Sequence, residues 1–265
     1  MLRSIKRWLG MAPPPRDWGA LPAWAQQRGF AFRRERDDLG FVIEGASAGR
    51  PWRLEWGPPQ RDYLVTTELR LRCEAGLPEH LHLMVMSQPL ADALERLAYE
   101  RFTEPTKTEA DLAMSEEARW VSLYPRLDVA RWRRLRQRVR VQGPEAAPLA
   151  AWLEAGLATM LADALDEGPL RVPAVLDPIV LITLRGRLYL RTSLAEPDLQ
   201  ALDLTLRVAD AALAALPAAL AAMSPIETMA HDAADPGATA WDAQADAIDL
   251  PPWAAVSPHD HNPRR

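Results

Sequence analysis

Hydrophobic and polar positions alternate along much of this chain, and the period of the alternation changes four times. Phe30 and Phe32 alternate with polar residues, and Phe41 to Glu44 follows a turn at Asp38 to Gly40. Trp52, Leu54 and Trp56 share one parity while Arg53 and Glu55 share the other; Leu69, Leu71 and Cys73 oppose Arg70, Arg72 and Glu74 in the same way. A period of two with one wet side predicts half-covered antiparallel strands. His80 to Met86 and Ile179 to Leu184 are apolar at nearly every position and predict strands covered on both faces. Leu188 to Arg191 returns to strict alternation.

Between these runs the period becomes three and four. Helices are predicted from Asp17 to Arg28, from a cap at Ser87 to about Arg101, from Asp128 to Val139, and from Leu149 to Leu165. A last helix, opened by Pro197, runs to about Met223. Strands and helices come in runs rather than in strict alternation, so the expected class is α+β. The expected architecture is an antiparallel sheet of about five to seven strands in two groups, packed against several helices. Gly49-Arg50 and Gly186-Arg187 occupy the same place between paired strands, an echo too short to establish a duplication.

Composition sets the domain limits. Residues 1–16 form a short basic leader with Arg3, Lys6 and Arg7 among Leu2, Ile5 and Trp8. It has no apolar core of a secretory signal, and its expected role is at most a weak contact with an anionic membrane surface. Residues 17–230 form the globular region, as one unit or as two subdomains at 17–125 and 126–230. From 231 to 265 the chain turns to Ala, Asp, Pro and Gly, which predicts an acidic, disordered C-terminal tail. No run of about 20 apolar residues predicts a membrane span, and a lone Cys73 fits a reducing, cytoplasmic compartment. The net charge of −5 argues against a dedicated nucleic-acid binder.

Few residues suggest chemistry. Gly45-Ala46-Ser47-Ala48-Gly49 spells the G-x-S-x-G of a nucleophile elbow, but a strand-like segment follows where a helix is required, so a hairpin turn explains it better. His80 and His82 would share a face of a strand and are weak metal candidates, and His259-Asp260-His261 could take up a cation only loosely; with no third ligand fixed, neither a metal site nor a cofactor is expected.

Charge layout is more informative. Seven arginines against Asp128 alone lie between Arg126 and Gly143, a local surplus of six. Arg131, Arg134 and Arg138 with Trp132 are the candidate anion-binding or partner-binding group, unless acids elsewhere in the chain neutralise them as a solvated helix face. In the tail, Ile248, Leu250 and Trp253 among acids and prolines form a candidate short interaction motif.

The element order resembles that of specialised secretion chaperones at the level of fold analogy alone. The function expected from these features is a cytoplasmic, non-enzymatic interaction, adaptor or chaperone-like module with a protein partner. A peripheral membrane or anionic-ligand binder at the inner membrane face, and a hydrolase with an unrecognised site, are the alternatives.

Overall fold

A computed structural model describes residues 18–35, 39–103, 114–166 and 178–224. The leader and the tail, with Ile248, Leu250 and Trp253, lie outside the described residues. The strands are β1 (Ala31–Arg34), β2 (Phe41–Ser47), β3 (Arg50–Gly57), β4 (Glu68–Glu74), β5 (Met84–Ser87), β6 (Val139–Gln142), β7 (Ile179–Leu184) and β8 (Arg187–Ser193). The helices are α1 (Leu21–Gln27), α2 (Gln88–Thr103), α3 (Glu116–Leu123), α4 (Ala146–Trp152), α5 (Ala158–Leu165) and α6 (Leu199–Ala221). All eight strands join one antiparallel sheet in the order β1-β2-β3-β4-β8-β7-β5-β6, so the protein is α+β, with one strand more than expected.

The two strand textures have different cover. On one face, Trp52, Leu54, Trp56, Leu69, Leu71, Leu188 and Leu190 pack with α1, α4, α5 and α6 in the larger core. On the other face, α2 and α3 cover Met84, Met86, Val180 and Ile182, with Leu184 and Tyr189 partly buried against them. Strands β5 and β7 are therefore buried on both sides and read as continuous apolar runs, whereas β3 and β4 turn a charged row toward solvent. Helix α6 is long and apolar enough to cross a bilayer by length and composition alone; half of its most apolar window is buried within the protein, which accounts for that composition.

Both glycine-arginine echoes are two-residue hairpin turns. Ala48 and Gly49 have φ of 49° and 76°, and Arg185 and Gly186 have 50° and 77°. Two successive left-handed residues give the turn whose twist matches paired antiparallel strands.

Three local expectations are corrected. Asp128–Val139 is not a helix but a series of turns closed by bonds such as Trp132 N–H to Val129 C=O and Leu135 N–H to Trp132 C=O. Arginines three and four apart would repel along a helix face, Gln137 is left-handed at φ 64°, and Val139 to Gln142 pair with β5 instead. Residues 80–83 precede β5 rather than forming it, so His80 and His82 are not strand residues. Ser87 ends β5 directly before α2, and its Oγ accepts the Ile179 N–H at 2.9 Å. The predicted helix over 149–165 breaks at Ala155 and Gly156, where Gly156 has φ of 106°.

Space is open around a Cβ added at Gly156, so the conformation alone excludes a side chain. Gly156→Ala is expected to cost about 1–2 kcal/mol in urea denaturation. A neutral result would show that this bend is not required.

Candidate functional site

The most unusual chemistry lies where the polar face of the sheet meets α3. Glu68 opens β4 and is fully buried; Glu117 in the first turn of α3 is 2% exposed and Arg191 on β8 is 8% exposed. Arg191 Nη1 donates to Glu68 Oε1 at 2.5 Å, and its Nε lies 3.9 Å from Glu117 Oε1. The Gln60 backbone N–H donates to the other Glu68 oxygen at 2.7 Å. Arg61 Nε donates to both Glu117 oxygens at 3.2 and 3.3 Å, and the Tyr63 hydroxyl donates to Oε1 at 3.1 Å.

Two buried carboxylates are thus matched by the buried Arg191, by Arg61 in the pocket wall and, 3.8 Å from Glu68, by Arg70, as charge taken out of water requires. Burial pushes the Glu117 carboxyl up, but Arg61 and Arg191 beside it outweigh burial and hold it below the usual carboxylate range. Burial, reinforced by the Glu117 charge, drives the Tyr63 hydroxyl well above the ordinary tyrosine value. Burial opposes the Arg191 charge, yet Glu68 and Glu117 raise its proton affinity further.

Above the cluster opens a pocket of about 320 Å³ lined by Gln60, Arg61, Asp62, Tyr63, Leu94, Leu97, Met114, Ser115 and Ala118. Helix α2 supplies Leu94 and Leu97, and the loop before β4 supplies residues 60–63. Ser115 caps α3 by accepting the Ala118 N–H at 3.3 Å, which fixes the third wall. Leu94 is buried, whereas Leu97 is 43% exposed and Tyr99 on the same helix 70% exposed.

Farther along the sheet, Arg53 lies opposite Arg72, and Arg70 opposite Arg191. Like charges directly opposed across strands repel, and the acids between them resolve part of this. Glu55 pairs with both Arg53 and Arg70, and Glu44 with Arg53 at 3.2 Å. Burial raises the Glu55 carboxyl, while Arg70 and Arg53 more than reverse it.

The arginine-rich turn is engaged with neighbouring helices. Arg131 pairs with Glu154 at 2.6 Å and lies over the Trp132 ring, 4.0 Å from its centroid. Arg134 pairs with Asp163 at 2.6 Å and with Asp166, which also takes Arg138 at 2.5 Å. Arg126 and the buried Arg140 grip Glu95 and Asp92 on α2. The structure therefore brings Arg131, Trp132, Arg134 and Arg138 together, with an internal acid beside each guanidinium.

His82 Nδ1 is 2.7 Å from the Tyr124 hydroxyl, and its ring lies 4.4 Å from Trp120, centroid to centroid. Burial lowers its proton affinity. His80 is exposed, and among the described residues no group of three or more His, Cys, Asp or Glu is placed to hold a metal ion. Ser47 ends β2, donates to Asp210 Oδ1 at 2.6 Å and leads into a turn and another strand, without the helix of a nucleophile elbow. Burial pushes the Cys73 thiol up to about 11, which leaves little thiolate at neutral pH.

No protein-family profile, curated protein or solved structure matches this chain.

The pocket and its buried cluster were not foreseen. Glu68 and Arg191 are separated by 123 positions, and each reads locally as an ordinary charged residue at a strand end. The only local sign was Ser115 followed by Glu116 and Glu117, a helix start rich in acids.

Proposed function

We propose that this protein is a non-enzymatic interaction module that takes an apolar segment of a protein partner into the groove between α2, α3 and the loop at residues 60–63. One observation carries the reading. Leu97 stands 43% exposed at the mouth of a pocket whose other apolar walls, Leu94, Met114 and Ala118, are already in place. Exposed apolar side chains scattered singly need no explanation, but an apolar concavity with a few polar groups at its rim is the common form of a binding site.

The surrounding chemistry supports recognition over turnover. The buried carboxylates Glu68 and Glu117 are spent on arginines, and the Tyr63 proton is held by Glu117. A general acid or base needs a proton affinity near the working pH, and the shifts at Glu117 and Tyr63 carry both away from neutrality.

The test is capture from the native host with the full chain and with Leu97→Asp, followed by rebinding of each captured protein in purified form. A change at so exposed a position is expected to leave the fold within about 0.5–1 kcal/mol of the parent. A purified partner that loses at least ten-fold in affinity for Leu97→Asp supports the reading. Partners that bind both chains equally place the interaction elsewhere and overturn it.

A further inference from the structure

Resting on that reading of the groove, we infer that what it recognises is the carboxyl terminus of a partner chain that ends in an aliphatic residue. The inference begins with the way Arg61 is held. Its Nε edge is committed to Glu117, at 3.2 and 3.3 Å. Its outer edge makes one long contact, from Nη1 to the Gln60 carbonyl at 3.4 Å, and the side chain is 29% exposed in the pocket wall. A guanidinium offers its donors as a rigid fork that matches a carboxylate in two parallel hydrogen bonds. Glu117 is itself immobilised by Tyr63 and by the helix start, so the fork is oriented before any ligand arrives.

Charge and size narrow the ligand. Beneath the pocket, Glu68 and Glu117 face Arg61 and Arg191, and Arg70, 3.8 Å from Glu68, is also held by Glu55, so Arg61 is not surrounded by unpaired cations that would favour a multiply charged phosphate. The first turn of α3 carries Glu116 and Glu117, and exposed Asp62 stands at the rim, which disfavour a dense anion further. A single carboxylate with an apolar body fits this balance. The pocket, at about 320 Å³, is large enough for the non-hydrogen atoms of one terminal residue.

One terminal leucine with its carboxylate has roughly nine such atoms, whereas an internal aspartate brings chain in on both sides. With the carboxylate on Arg61, the aliphatic side chain meets Leu94, Leu97 and Met114. The Gln60 side-chain amide also lines the pocket and is a partner for the last peptide group.

The experiment is calorimetric titration of the full chain with N-acetyl-Gly-Ala-Leu-Leu as the free acid, with the same peptide as its carboxamide, and with octanoate. The free acid is expected to saturate the site and to bind at least ~10-fold more tightly than the amide, the lower end of what a charge-assisted hydrogen bond is worth. Leu97→Asp is expected to weaken the free acid by a similar factor. Arg61→Lys keeps a cation beside Glu117 but loses the fork, and is expected to shrink the preference for acid over amide.

Equal binding of acid and amide, or no saturable binding of either, overturns the inference. If a purified partner still depends on Leu97 in that case, the groove remains an interaction site; if none does, both readings fall. Octanoate binding as tightly as the peptide acid would show that the pocket takes free aliphatic acids, and would also overturn the assignment to a chain terminus.

Discussion

Arg191→Leu is expected to destabilise the protein by about 3–5 kcal/mol at pH 7, the cost of removing one partner from a buried ion pair. Glu68 loses the donor to its Oε1 and Glu117 loses one of its two neutralising arginines, while neither can turn to water. For a domain of this size the loss corresponds to a fall in melting temperature of roughly 6–20 °C. Urea denaturation of the parent and the variant measures it directly. Adding Glu68→Gln and Glu117→Gln to the leucine variant removes the orphaned charges and is expected to recover part of the loss. A penalty below about 1 kcal/mol for Arg191→Leu alone would mean that the cluster is far wetter than its burial implies.

The same cluster gives stability a pH dependence of known sign. Glu117 has its proton affinity lowered on folding, so the unfolded chain binds the extra proton. Its contribution is complete above the ordinary glutamate value of ~4.3 and is lost as pH falls through the lower folded value. In Arg191→Leu that depression is reduced. The stability gap between parent and variant is therefore expected to narrow as pH drops below ~4.3.

Trp152→Ala is expected to cost about 3–5 kcal/mol, the usual penalty for emptying a fully buried tryptophan site. The ring is wholly buried between α4 and α6, and its Nε1 donates to the Ala212 carbonyl at 2.9 Å. This contact ties the helix pair together beside the break at Gly156. Trp152→Phe separates the two contributions, since it keeps most of the apolar volume and removes the donor, at about 1 kcal/mol for the hydrogen bond plus the lost ring area. Similar losses for alanine and phenylalanine would show that the hydrogen bond, rather than the filled volume, holds the helices.

The half-covered strands were legible because their period is imposed by a boundary between protein and water. Arg53 and Glu55 alternate with Trp52, Leu54 and Trp56 because one side of β3 faces the core and the other does not. The apolar runs Met84 to Met86 and Ile179 to Ile182 were legible for the opposite reason, cover on both sides. Val139 to Gln142 misled because Val129, Trp132, Leu135 and Val139 also fit a helical stripe. Four residues alternating at the end of a repulsive arginine run gave way to a vacant sheet edge, which no local pattern encodes. The arginine surplus was legible as charge, whereas Glu154, Asp163 and Asp166 come to it only through the packing of the helical layer.

Period, turn residues and net charge are properties of neighbouring positions, and from them the sequence by itself determined the α+β class, the strand faces, the places of both hairpin turns and most helix spans. Tertiary structure alone decided which distant charges meet. Glu68, Glu117, Arg61 and Arg191 come from two loop-to-element starts, a loop and a far strand. Their pairing is enforced by the cost of dry, unmatched charge, a term that does not exist until the chain has closed around them.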